Sequence, residues 1–255
     1  MSGMTETART TFAIDEWADL SASEISFWDR WIGGGGAKWP EDFKRRTDPE
    51  APLTELVVNT LPRLDLAEGQ TLRILDIGSG PLSFVGYKYD DHPIDLTIVD
   101  PLADRYNELL DQGGVTGVPR PRTGYFESAL SDFGEAAFDL VWCFNSLDHS
   151  IDPLVGLYNL LMLVRPGGGL ILGFHPNEAD GGNYQGLHQW NLDVDGEDGA
   201  LLLTRYGKVA RLQNLLSQQT VLSCHVPKTK EGHKSRVTIV VRKDAPCNLS
   251  EAMLA

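Results

Sequence analysis

From residue 71 onward the chain alternates between short runs of branched apolar residues and longer stretches with helical spacing. The runs occupy 72–77, 94–99, a weaker 124–127, 138–144 and 169–174. Strands that are apolar throughout are buried on both faces, and helical connections make neighbouring strands parallel. The pattern therefore restricts the fold to an open, doubly wound α/β sheet with crossover helices. One helix carries its own start and stop. Asp152-Pro153 pairs a cap with proline at the first helical position. Leu154, Leu157, Leu161 and Val164 then share a face until Pro166-Gly167-Gly168. Two more strands, at 220–226 and 236–241, follow a Gly/Asn/Asp-rich insertion at about 176–205.

Ahead of this pattern, residues 1–12 are polar and 13–70 read as a helical preface. Ser21 and Glu24 have the spacing of a capping box, and Ile25, Trp28, Trp31 and Ile32 follow at helical intervals. Four glycines, Gly33 to Gly36, stop that helix as a flexible turn or as the hinge of a lid. A second helix is expected at 53–61, before Pro62-Arg63. The chain thus divides into an N-terminal helical extension (1–70) and a core (71–255).

Charge narrows the partners. Twenty-two basic against 36 acidic residues leave a formal charge of −14, which repels phosphate backbones. Lys44-Arg45-Arg46 and the run Lys228, Lys230, Lys234, Arg236 are short and diluted by acids, so both read as solvated surface. A nucleic-acid partner is not expected; a small neutral or cationic molecule is favoured. Cys143, Cys224 and Cys247 lie in no metal or disulfide pattern, which suits a reducing compartment. No apolar run is long enough to span a bilayer, and the polar start lacks a signal-peptide core. The expectation is a cytoplasmic protein without a membrane partner; the oligomeric state is not legible.

The most informative stretch joins the first strand to Gly78-Ser79-Gly80, after which Pro81 can begin a helix. Glycines there let the backbone turn sharply and approach a ligand, at the carboxyl end of a strand where open α/β sheets bind ligands. Asp76 ends an otherwise apolar strand, and a buried carboxylate needs a partner. A cationic ammonium or sulfonium ligand supplies one. Twenty residues past Gly80, Asp100 closes the second strand, where a carboxylate can accept from both ribose hydroxyls. As a bland alternative, Asp100 caps the helix after Pro101. A nicotinamide or flavin dinucleotide fits less well: the third glycine position of its fingerprint holds Ser83, and Asp76 would oppose a pyrophosphate.

Leu75-Asp76-Ile77-Gly78-Ser79-Gly80 followed by Val99-Asp100 resembles the cofactor site of class I S-adenosylmethionine-dependent methyltransferases. So do Phe138-Asp139-Leu140-Val141, leading to Asn145-Ser146-Leu147-Asp148-His149, and Leu163-Val164-Arg165-Pro166-Gly167-Gly168-Gly169-Leu170. Four motifs fall in family order over 72–175. The resemblance implies a seven-stranded Rossmann-like sheet, order 3-2-1-4-5-7-6 with strand 7 antiparallel, and S-adenosyl-L-methionine as cofactor. It implies that Gly78, Ser79 and Gly80 pass beneath the methionyl part, with Asp76 holding its amino end and Asn145 beside it. Asp100 would take the ribose hydroxyls, Pro101 and Leu102 would pack on the adenine, and Ser128-Ala129 would lie near its amino group, with Glu127 one residue early. The family's usual third glycine is replaced by Leu82.

For a hydroxyl acceptor a histidine base is the usual choice. His149, after the fourth strand, is the first candidate, with Asp148 to orient it; its structural alternative is to pack or cap the next helix. His175, His188 and Trp190 are candidates for touching the acceptor. Asp148, His149 and Asp152 could offer ligands to a divalent ion, but Asp152 reads as a helix cap, so no metal is expected. The favoured reaction is O-methylation of a small hydroxylated metabolite. Methylation of nitrogen or carbon, and a non-catalytic protein that kept the fold, are the alternatives.

Overall fold

Every residue of strand β1 (Leu72–Ile77) is buried except the partly covered Arg73, so β1 belongs in the middle of a sheet. In the computed structural model, which describes residues 14–90, 92–197, 199–212, 216, 219–226 and 236–245, it pairs in parallel with β2 (Ile94–Asp100) on one side. β3 (Arg122–Thr123) adds to β2 at the edge. On the other side β1 meets β4 (Phe138–Phe144), which pairs with β5 (Val164–Phe174). Three short strands, β6 (Asn191–Val194), β7 (Leu201–Arg205) and β8 (Lys208–Arg211), form a separate antiparallel sheet. β9 (Thr220–His225) and β10 (Val237–Arg242) complete the main sheet. Its order is β3-β2-β1-β4-β5-β10-β9, and β10 is antiparallel to both neighbours. This is the strand order that the family resemblance implies.

The helices are α1 (Ile14–Leu20), α2 (Ala22–Gly33), α3 (Pro40–Arg46), α4 (Glu55–Thr60), α5 (Ala103–Gln112), α6 (Ala129–Phe133), α7 (Pro153–Leu163) and α8 (Glu178–Gly181). α7 starts as read: the Asp152 side chain accepts from the backbone N–H of Leu154 and Val155, both at 3.1 Å. Among the described residues no helix is long and apolar enough to cross a membrane.

Several local expectations are corrected. No helix follows the glycine turn. The chain from Pro81 to Asp90 instead spends its backbone hydrogen bonds on residues 51–54: Leu53 N–H donates to Lys88 O, Thr54 N–H to Val85 O and Tyr87 N–H to Ala51 O, each at 2.8 Å. The sheet face that a first crossover helix would cover is filled by Leu53, Val57 and Leu61, packed on Leu72, Ile74 and Trp142. Ser21 forms no capping box, because α1 leads straight into α2; its hydroxyl bonds back to Ala18 O at 2.7 Å, and Ser21 has helical dihedrals. β3 lies two residues before the expected 124–127. The insertion carries α8, β6 and β7. Cys143 is buried, but Cys224 is exposed on the edge strand β9. Lys228, Lys230, Lys234, His233, Cys247 and the polar start fall outside the described residues.

Candidate active site

Where β1 ends, the chain reverses through Gly78 (φ 69°) and Gly80 (φ 67°), a backbone region that L side chains rarely adopt. Space forbids a side chain as firmly as the dihedral does. A Cβ on Gly78 would lie 2.3 Å from Ser146 Oγ, and one on Gly80 would lie 2.8 Å from the Trp28 ring. Gly78→Ala should therefore cost about 2–4 kcal/mol of stability, read as a lower midpoint in urea unfolding; an unchanged midpoint would mean that the turn relaxes freely.

Two buried carboxylates brace this turn. Asp100 accepts from Gly80 N–H through Oδ2 and from Leu102 N–H through Oδ1, both at 2.9 Å. Asp76 accepts from the Ser83 hydroxyl at 2.6 Å. Burial pushes the Asp76 carboxyl up to about 6, against the pull of Ser83 and Arg46. Burial likewise pushes Asp100 up to about 7, although two backbone N–H groups favour its charge. Both groups hold protons in the folded protein that an unfolded chain gives up near the ordinary Asp value of about 3.9. Stability of the ligand-free protein should consequently fall as pH rises from about 4 to about 7, by up to about 1.4 kcal/mol per pH unit for each group. Thermal melts across that range, compared with Asp100→Asn, check this; the variant should show the shallower decline.

The turn opens into a cavity of about 560 Å³ at the carboxyl ends of the strands. Asp76, Gly78, Ser79, Gly80, Asp100, Pro101, Leu102 and Asn145 all line it. Asn145 has φ 55°, and its buried side-chain oxygen has no hydrogen-bond partner among the described residues, so the wall presents an acceptor still lacking a donor there. The sheet order around the cavity is that of a doubly wound, Rossmann-like fold with one antiparallel strand.

Ser128 and Ala129 are not on the cavity wall. Ser128 precedes α6 and donates to Asp132 at 2.8 Å, while Ala129 is packed in the core. Glu127, one residue earlier, lines the cavity and accepts from Asp152 N–H at 2.8 Å. The missing helix after Gly80 removes the N-terminus on which a pyrophosphate would rest.

Past β4 the chain makes one tight turn (Leu147–His149) that brings Asp148 and His149 against His188 from the insertion. His188 Nδ1 lies 2.7 Å from Asp148 Oδ2 and 3.0 Å from His149 Nε2. His149 Nε2 is 3.6 Å from the same carboxylate oxygen. Burial disfavours charge on both partners, yet the nearby rings hold Asp148 below its usual value, and Asp148, Glu178 and Glu24 raise His188. His188 Nδ1 thus faces both the Asp148 carboxylate and the His149 ring nitrogen. His149 and His188 line the cavity. Trp190 does not: it is buried, donating to Ser150 O at 3.1 Å. His175, after β5, is also off the cavity wall. Asp152 stays in its cap.

Trp17, Trp28, Trp31 and Trp39 of the helical preface line the cavity, but the cationic part of the wall and the ring row beneath it escaped the sequence. Arg45 and Arg46, read as surface, turn inward. Arg45 donates to Phe84 O at 2.6 Å, and Arg46 donates to Leu82 O at 3.0 Å and pairs with Asp42 at 3.0 Å. Phe84, Trp142 and Phe144 stack in a row, at 6.3 Å and then 4.2 Å, with Arg236 over Phe144 at 5.3 Å. The only hint was the i, i+3 spacing of Phe43 and Arg46, which puts both on one helix face.

No protein-family model matches the chain, and no curated protein does. Among solved structures it is similar to the 1,6-didemethyltoxoflavin-N1-methyltransferase of Burkholderia thailandensis, at 19% identity over 92% of each chain, with a TM-score of 0.48. It is also similar to the CurJ carbon methyltransferase, at 16% identity over 91% of this chain and 71% of that one, TM-score 0.48. A third similarity is to a complex of the Haloferax volcanii Trm112 methyltransferase activator and a methyltransferase, at 13% identity over 86% of this chain and 98% of that one, TM-score 0.47.

Proposed function

We propose that this chain is an S-adenosyl-L-methionine-dependent methyltransferase that methylates a hydroxyl of a small molecule. One observation carries the reading: two buried carboxylates flank a turn too tight for any Cβ, in a cavity with no helix end for phosphates. When bound, the cofactor would supply a methyl group on a sulfonium centre. Asp76 would hold its ammonium end with Asn145 as a second acceptor, Asp100 would take the ribose hydroxyls, and Gly78 and Gly80 would let the chain run close beneath. For the acceptor, the surrounding tryptophans exclude water, and alignment in a dry site is most of what a direct displacement needs. The His149 ring would accept the hydroxyl proton, with Asp148 and His188 fixing its position.

A second reading of the same corner has a specific observation behind it. Ligand atoms of Asp148, His149 and His188 all lie within 4.8 Å of one another, which suits a divalent ion held by one oxygen and two nitrogens.

Calorimetry tests the main reading directly. S-adenosylhomocysteine is expected to bind and NAD is not; tight NAD binding with no response to S-adenosylhomocysteine would overturn it. A screen of hydroxylated acceptors for release of S-adenosylhomocysteine then separates an enzyme from a binding protein.

A further inference from the structure

Charge is distributed unevenly around the cavity. Glu24, Asp76 and Asp100 gather at the glycine turn, where Asp100 feels the charge of both others. The same cavity is also lined by two guanidinium groups, Arg46 and Arg236. Arg46 is already committed to Asp42 and Leu82 O. Arg236 is not. It rests over the Phe144 ring and has neither a hydrogen bond nor an ion pair among the described residues. Asp42 and Glu178 are near enough to influence it, yet neither comes within ion-pair distance.

Topology puts this free cation beside the chemistry. Val237, the next residue, pairs with Phe174 at the carboxyl end of β5, and Phe144 pairs with Gly173 in the same sheet. Arg236 therefore emerges where β4 and β5 end, and His149 follows β4 by one short turn. Beneath Arg236, Phe144 stacks on the buried Trp142 with ring planes 14° apart.

We propose that Arg236 anchors a carboxylate of the acceptor, and that the acceptor is a small aromatic hydroxy acid. The hydroxyl part of this proposal rests on the methyltransferase reading; the anion site does not. A guanidinium fork matches a carboxylate with two parallel hydrogen bonds. Arg236, the one uncommitted cation on the wall among the described residues, balances a monoanion, whereas the carboxylates at the glycine turn would repel a phosphate dianion more strongly. The aromatic body follows from the rest of the wall. Trp17, Phe27, Trp28 and Trp39 line the cavity, and Phe27 and Trp39 keep 36% and 52% of their surface exposed, an apolar rim of the kind that marks binding sites. The volume must serve acceptor and cofactor together, so the acid is small. The chain's net acidity pointed toward a neutral or cationic molecule; the local charges point the other way.

Binding of 3- and 4-hydroxybenzoate and 4-hydroxycinnamate, set against their matched amides, tests this on the full chain by tryptophan fluorescence and calorimetry. Measurements are made first on the protein alone and then with saturating S-adenosylhomocysteine. The acids should bind roughly 10- to 100-fold more tightly than the amides. Arg236→Gln should abolish that preference, Arg236→Lys should keep part of it, and added salt should erode it. Affinity for S-adenosylhomocysteine should be the same in all three proteins. If S-adenosylhomocysteine fails to bind while the acid preference persists, the methyltransferase reading falls and the anion site stands. Equal binding of acids and amides, no binding by any acid, tighter binding of phenyl phosphate, or a preference that survives Arg236→Gln would each overturn the proposal.

Discussion

Asp100→Ala should weaken S-adenosylhomocysteine binding roughly 10²- to 10⁴-fold. A hydrogen bond to a charged group contributes about 1.5–3 kcal/mol, and a carboxylate placed to accept from two ribose hydroxyls loses both on truncation. The variant also frees Gly80 N–H and Leu102 N–H, which Asp100 now holds, so part of the loss could come from a loosened turn. A cycle with a ligand lacking the 2′ and 3′ hydroxyls separates the two causes. That ligand should bind the parent poorly and lose little more on Asp100→Ala, whereas a loosened turn would weaken both ligands equally. Calorimetry on the four pairs gives the answer. Should Asp100→Ala bind S-adenosylhomocysteine within about threefold of the parent, the carboxylate has no part in the cofactor site.

What the sequence disclosed about that site followed from burial. A carboxylate at the end of an apolar strand is conspicuous, because its cost demands a compensating partner, and Asp76 and Asp100 both proved buried at the turn. Strand positions were legible for the same reason: runs such as 138–144 have no polar face and must lie inside a sheet. The missing crossover helix was not legible. Nothing in Pro81 to Asp90 forbids a helix more strongly than its pairing with residues 51–54 forbids it, and that pairing is a long-range event. The capping box failed similarly, since Ser21 and Glu24 have the right spacing whether or not a helix already precedes them.

Side-chain partnerships across the fold were the least accessible part. Lys44-Arg45-Arg46 is one short basic run in the sequence, but only Lys44 of the three is exposed. Arg46 reaches Phe84, with its guanidinium 5.0 Å from the ring centre, and no local pattern foretells that contact. His188 belongs to an insertion whose strands join a small sheet separate from the main one, so its approach to Asp148 has no signature in spacing. Net charge sums the surface, while a ligand meets only the groups in its own pocket, so the two need not agree in sign.

His149→Ala is expected to lower turnover about 10²- to 10⁴-fold, the usual contribution of a positioned base, with little change in S-adenosylhomocysteine affinity. The substitution is a clean one. Trp17 is tied to the backbone carbonyl of His149, at 2.6 Å, and that bond does not depend on the side chain, so α1 should stay docked over the cavity. What disappears is the ring nitrogen 3.0 Å from His188. A purely structural histidine would give a different signature: a lower melting temperature, weaker cofactor binding and modest loss of turnover together. Added imidazole should restore part of the rate if the ring acts by taking a proton, and should not if it only packs. Dialysis against a chelator sorts out the remaining possibility. Turnover that survives chelation keeps His149 as the base, whereas turnover lost on chelation and regained with a divalent ion assigns Asp148, His149 and His188 to a metal, with the acceptor's proton then leaving by another route.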